Sequence, residues 1–93
     1  STLSWTLFPY TTLFRSIETL LNNLIPATYE LYEKKELSKL SFRNKRALEL
    51  MGEDLPNEDK SLYTMYQRVI DYIVGMTDNY AKYVANQLNG MGD

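Results

Sequence analysis

The chain has 93 residues, a formal net charge of −2, and neither cysteine nor histidine. This length allows one small domain, and the weak charge does not point to a nucleic acid or a membrane as partner. The missing residue types exclude a disulfide framework, a cysteine nucleophile and a histidine base or metal ligand within the chain.

The first sixteen residues are predicted to lie outside the fold. One choice of codons for residues 6–16, Thr-Leu-Phe-Pro-Tyr-Thr-Thr-Leu-Phe-Arg-Ser, spells a common sequencing-library adapter, an unbroken match that chance rarely produces. We therefore expect residues 1–16 to be translated adapter or a disordered segment. The alternative is a genuine apolar segment that favours β structure, with Trp5, Phe8 and Phe14 as its large side chains.

A helical pattern begins at Ile17. Apolar residues at helical spacing mark one face of a first helix: Ile17, Leu20, Leu21, Leu24 and Ile25. Ser16 is the expected N-cap, and Pro26 is expected to end this helix and to open a second one. The second helix has a thin apolar edge, formed by Tyr29, Tyr32, Leu37 and Leu40.

A third helix is predicted from Ser41, as its N-cap, through Met51, with Gly52 as its C-cap. Its expected buried residues are Phe42, Leu48 and Met51. A loop follows over residues 53–57.

The longest periodic segment runs from about Asn57 to Asn89. Asn57 is its expected cap, with Glu58 and Asp59 at the positive end of the helix dipole. One apolar seam follows spacings of four and three: Leu62, Tyr66, Val69, Ile73, Met76, Tyr80 and Tyr83. Four further residues widen this seam: Met65, Tyr72, Val84 and Leu88. The sequence thus predicts an all-α fold of three to four helices, with the C-terminal helix longest.

A second stripe runs along the opposite face of this helix: Arg68, Asp71, Gly75, Asp78 and Lys82. Arg68 with Asp71, and Asp78 with Lys82, have the spacing of ion pairs, which argues against either carboxylate as a proton donor. A mid-helix glycine costs about 1 kcal/mol relative to alanine. Gly75 therefore indicates either the close approach of another backbone, helix or ligand, or a solvated face that tolerates it.

Six of the ten basic residues form a cluster before and within the third helix: Lys34, Lys35, Lys39, Arg43, Lys45 and Arg46. Two interpretations remain open, a contact site for a polyanion and a solvated basic face. The solvated face is favoured because aromatic residues are not regularly interleaved with the cluster. The dense tyrosines of the last helix indicate core or interface packing, or the lining of a nucleotide pocket.

Residues 71–81 read Asp-Tyr-Ile-Val-Gly-Met-Thr-Asp-Asn-Tyr-Ala. This stretch resembles the signature DYIxGMTDxYA near the C-terminus of bacterial dGTPase-like deoxynucleoside triphosphate triphosphohydrolases, which belong to the HD-domain superfamily. Arg68-Val69-Ile70 before it fits the same family. The resemblance is strong over residues 63–88 and weaker over residues 17–56.

The resemblance implies that residues 17–93 are a C-terminal fragment of a larger helical HD-domain protein. Such a parent hydrolyses a dNTP to the deoxynucleoside and triphosphate at a divalent metal held by a His, a His-Asp doublet and an Asp. This chain has no histidine, so alone it is expected to be inactive, without catalytic residue, metal ligand or cofactor. The parent is expected to be a cytoplasmic homo-oligomer. Residues expected to serve packing or an interface are Arg68, Asp71, Tyr72, Gly75, Met76 and Asp78.

Two other classes of function remain open. The chain could be a free-standing helical protein–protein interaction module that buries its tyrosine-rich seam against a partner. It could also be a small nucleic-acid binder that uses the basic cluster, in which case binding should depend on salt.

Overall fold

The computed structural model describes residues 2–57 and 60–90, with side chains from residue 11 onward. This part of the chain contains four α-helices. In chain order they are α1 (Thr2–Lys34), α2 (Phe42–Glu49), α3 (Leu62–Val74) and α4 (Asp78–Gly90). Two 3₁₀ turns, Leu37–Lys39 and Gly52–Asp54, lie before and after α2. The all-α prediction is confirmed. Glu58 and Asp59, predicted to favour a helix start, lie outside the described residues.

α1, with 33 residues, is the longest of these helices, so the prediction that the C-terminal helix is longest was wrong. Pro26 does not end α1, and Ser16 does not cap it. The Ser16 hydroxyl instead donates to the carbonyl oxygen of Thr12, at 3.1 Å. Proline removes one hydrogen bond from a helix, but here its ring lies on the exposed side. One continuous face of fully buried residues holds the helix together across it: Leu20, Leu24, Ala27 and Leu31.

The backbone of residues 2–16 is also helical, so the alternative of a β-leaning segment was wrong. The origin of residues 6–16 as translated adapter stays a prediction.

The core surrounds α1, which contacts α2, α3 and α4. α2 and the turn after it contribute Ala47, Leu48 and Met51. The C-terminal helices contribute Met65, Val69, Ala81, Val84 and Leu88. Burial of this single apolar face of each helix is the main driving force for the fold.

α2 begins as predicted, because the Ser41 side chain accepts a hydrogen bond from the backbone N–H of Asn44, at 3.4 Å. Leu48 and Met51 are buried as predicted. Phe42 is not: it is the first residue of the helix, and 75% of its surface is exposed. The C-cap is Leu50 and not Gly52, which takes a φ of +59° and starts the following turn.

The predicted long helix is interrupted after Val74. Gly75 is the C-cap of α3, and the Thr77 hydroxyl accepts the backbone N–H of Tyr80, at 3.1 Å, at the start of α4. Ser61, not Asn57, caps the start of α3. Glycine weakens a helix and threonine offers a cap that competes with its continuation. The break changes the buried face, so Tyr80 and Tyr83 of the predicted seam are 46% and 57% exposed.

Candidate functional site

An open groove of about 630 Å³ lies where α3 and α4 meet. We call it the elbow groove, and its lining comprises Met51, Asp54, Arg68, Asp71, Tyr72, Gly75, Met76, Thr77 and Tyr80. It lies between the break after Val74 and the turn that follows α2, since residues of both line it. Five of the six residues singled out in the sequence for packing or an interface are gathered here. The sixth, Asp78, lines a different groove.

Arg68 ties the groove's two walls together. Its Nη2 donates to the carbonyl oxygen of Glu53 at 3.0 Å, and its Nε donates to that of Asp54 at 3.3 Å. These carbonyls belong to the 3₁₀ turn, whose end has no helical partner for them. Arg68 therefore acts as a clamp between α3 and the turn.

The predicted ion pairs do not form. Asp71 accepts a hydrogen bond from the side-chain amide of Gln67, at 3.1 Å, instead of pairing with Arg68. Within the described residues the structure shows an ion pair between Lys39 and Glu36, but none between Asp78 and Lys82. The spacing in sequence was suitable, but the guanidinium of Arg68 donates to the two backbone carbonyls instead.

Tyr72 forms a second tie. Its hydroxyl donates to the carbonyl oxygen of Leu50 at 3.3 Å, which joins α3 to the end of α2. Burial raises the pKa of Tyr72, and the neighbouring Tyr80 hydroxyl raises this pKa further. The hydroxyl thus stays protonated and remains a hydrogen-bond donor at neutral pH.

Gly75 lies on the surface of the elbow. A Cβ at this position would meet the backbone oxygens of Asp71 at 3.3 Å and Tyr72 at 3.8 Å, both in its own helix. Its φ of −78° is one that any residue adopts. A larger side chain would therefore press on the end of α3 and extend over the groove. The role of Gly75 at an interface stays a prediction.

The predicted basic cluster is spread over the end of α1, the residue after it, the first 3₁₀ turn and α2. Three of its members already have partners inside the chain. Lys35 lies 4.3 Å from the ring centre of Tyr32, Lys39 is 3.9 Å from the Glu36 carboxylate, and Arg43 donates to the Asn23 side chain at 2.8 Å. These contacts compete with a polyanion for the same charges. Contact of Lys34, Lys45 and Arg46 with a polyanion stays a prediction.

A second groove, of about 360 Å³, is almost wholly apolar. We call it the apolar groove, and it is lined by Leu13, Ile17, Leu21, Ile70, Ile73, Val74, Met76, Asp78 and Ala81. Sequence reasoning did not find this surface, because it joins α1 to α3 and α4, which lie far apart in the sequence. The available signal was the spacing of Ile70 and Val74, four residues apart and outside the predicted seam.

Metal-binding side chains are not grouped in the part of the chain that the structure describes: no three of the Asp and Glu residues there lie close enough to hold an ion. No described helix has both the length and the apolar character needed to cross a membrane.

Comparison with known proteins finds no family model and no solved structure that matches. Three curated proteins do match, each called "Deoxyguanosinetriphosphate triphosphohydrolase-like protein", from the LESB58, UCBPP-PA14 and PAO1 strains of Pseudomonas aeruginosa. Each is 41% identical over 77 residues, which is 83% of this chain and 17% of the relative. The chain is therefore similar to about one sixth of a dGTPase-like protein.

Proposed function

We propose that this chain is a helical, non-catalytic part of a dGTPase-like triphosphohydrolase. The observation that carries the proposal is the identity of 41% over 77 residues to proteins named for that activity. The stretch from Asp71 to Ala81, which resembles the family signature, supports the same assignment. The parent would hydrolyse a dNTP, dGTP first among the candidates, to the deoxynucleoside and inorganic triphosphate.

The residues of this chain do not fit the divalent metal that such a parent requires. The sequence has no histidine, and its described acidic residues form no cluster suited to an ion. The metal ligands and the chemistry would come from the HD-type remainder of the parent, which we propose to be a cytoplasmic homo-oligomer. This chain would contribute a helical surface of defined shape.

Its contribution would be a fixed elbow. Arg68 donates to the carbonyls of Glu53 and Asp54, and Tyr72 donates to that of Leu50, so these hydrogen bonds join the end of α2 and the turn after it to α3. Thr77 then sets where α4 starts. Such ties give a surface a defined shape at little cost in free energy, because each satisfies a carbonyl or N–H that the helix ends leave open.

The test is a chimera in which residues of this chain replace the matching 77 residues of one P. aeruginosa relative. We expect both the intact relative and the chimera to fold and to release deoxyguanosine and triphosphate from dGTP with divalent metal present. A matched control carries the same segment with the order of residues 71–81 reversed, which keeps composition. If the intact relative hydrolyses dGTP and the chimera is folded but inactive, the proposal is wrong.

A further inference from the structure

The apolar groove carries an exposed surface that the fold itself does not use. Ile17 and Leu21 of α1 line it, one helical turn apart, and Ile70 and Val74 of α3 line it with the same spacing. Val74 is 77% exposed and Ile70 is 39% exposed. Single exposed apolar residues are common on proteins, whereas a concave surface lined mostly by apolar residues is typical of a binding groove.

This surface does not depend on the adapter-like stretch. Phe14, which is 66% exposed, and Leu13 belong to residues 6–16. Ile17, Leu21, Ile70 and Val74 lie beyond that stretch. These four residues keep an apolar surface whatever the origin of residues 6–16.

The two grooves differ sharply in chemistry. The elbow groove contains Asp54, Arg68 and Asp71, whereas Asp78 is the one charged residue among those that line the apolar groove. A charged lining favours water or a polar ligand, and an apolar lining favours another apolar surface. The part of the molecule that meets further protein should thus be the apolar groove.

We propose that the apolar groove receives an amphipathic α-helix from the remainder of the parent protein. This inference rests on the proposed function, because the relatives carry about five sixths of their length outside the matched part. Ile17 and Leu21 on one wall, like Ile70 and Val74 on the other, are about 6 Å apart by helical rise, which suits about one turn of a helix docked between them. The docked face would present apolar residues at spacings of three and four. It would place a Lys or Arg opposite Asp78.

Thiol labelling tests the inference, because the chain has no cysteine of its own. A single cysteine is introduced as Val74→Cys, inside the groove, or as Tyr63→Cys, the matched control on the same helix. Val74 and Tyr63 are 77% and 78% exposed, but Tyr63 does not line the groove. The rate of modification by a maleimide reagent is measured by mass spectrometry of the labelled peptide, in this chain and in the dGTPase chimera.

In this chain, we expect residues 74 and 63 to react at similar rates. In the chimera, we expect residue 74 to react at least about tenfold more slowly than residue 63, because a docked helix covers it. Equal rates in a chimera that still hydrolyses dGTP would overturn the docking inference and leave the proposed function intact.

Two further outcomes would also overturn it. The first is slower labelling of residue 74 in the isolated chain as the protein concentration rises. That result would assign the groove to a second copy of the chain. A chimera without Cys substitutions that neither folds nor hydrolyses dGTP would reject the proposed function, and the docking inference with it. Melting temperatures of both Cys variants show that labelling reports on folded protein.

Discussion

The buried face of α1 and the elbow between α3 and α4 are held together by different forces. Leu20, Leu24 and Leu31 are wholly buried and contribute by apolar area and fit. The elbow depends on single polar side chains, Arg68, Tyr72 and Thr77, each with one or two specific hydrogen bonds. An apolar face tolerates interruption, as Pro26 shows, whereas one glycine and one threonine suffice to divide a helix.

The difference has a consequence for stability. A buried leucine contributes by filling space, and its loss leaves a cavity. A helix cap or the Arg68 clamp contributes only a difference in free energy, between its hydrogen bond within the protein and the bond that the same group would make to water. Substitutions in the α1 face should therefore cost several times more than substitutions in the elbow.

The largest effect is expected for Leu24→Ala. Leu24 is fully buried, and such a substitution destabilises by about 3 kcal/mol through lost transfer energy and the cavity. The urea midpoint of unfolding, followed by circular dichroism, measures it. Ile25→Ala on the next, only half-buried position should cost less than half as much. Equal losses at the two positions would show that the α1 face is not the centre of the core.

Thr28 is an exception within the α1 face. It is fully buried, and its hydroxyl has no hydrogen-bond partner among the described residues. Thr28→Val removes this unsatisfied group at nearly constant volume and should stabilise the chain by about 1 to 2 kcal/mol. Thr28→Ser, which keeps the hydroxyl but loses a methyl group, should destabilise it. A lower unfolding midpoint for Thr28→Val would instead show that the hydroxyl is bonded.

The same contrast explains what the sequence could and could not predict. Periodicity identified Leu20 and Leu24 correctly, because spacing alone decides which side of a helix is apolar. It failed at Pro26 and at Gly75, in opposite directions. Pro26, on the exposed side, does not end α1, because the burial of its neighbours holds the helix together. Gly75, followed by Thr77, does end α3. Both outcomes depend on tertiary context, which a pattern of spacings does not contain.

The candidate site was predicted in part for the same reason. Helical spacing placed Arg68 and Asp71 on one stripe, whereas Tyr72 was assigned to the apolar seam and joined them only among the residues expected to serve packing or an interface. The partners of Arg68 and Tyr72 were not predicted, because Glu53, Asp54 and Leu50 contribute backbone carbonyls. A backbone carbonyl is present at every residue, so nothing in the sequence distinguishes the ones that are used.

The elbow itself is tested at Thr77. Thr77→Ala removes the hydroxyl that accepts the Tyr80 N–H and should cost about 1 kcal/mol, the usual value for a lost N-cap. Thr77→Ser keeps the acceptor and should cost only a few tenths of a kcal/mol. Both are measured as changes in urea midpoint. A stabilising Thr77→Ala would mean that α3 and α4 merge into the continuous helix that the periodicity predicts, and higher helical ellipticity would accompany it.

The smallest effect concerns Glu30, a polar tie on α1 that resembles those of the elbow. Its carboxylate accepts the backbone N–H of Ser41 at 2.9 Å and the side-chain amide of Asn44 at 3.1 Å. The bond from Ser41 lowers the pKa of Glu30. A lowered folded-state pKa means that this stabilisation is complete above the unfolded-state value and is lost as pH falls through the folded-state value.

The wild-type chain should therefore be more stable than Glu30→Gln at pH 7, and the difference should be smaller at about pH 3, below the ordinary range of a glutamate pKa. Glutamine keeps the acceptor oxygen but loses the charge, so the comparison isolates the titration. Because Glu30 is partly exposed, solvent screening keeps the effect small. Unfolding midpoints at both pH values measure it. A difference that does not change with pH would show that the charge of Glu30 does not contribute. The side chain would then act only as a neutral hydrogen-bond acceptor, as Thr77 does in the elbow.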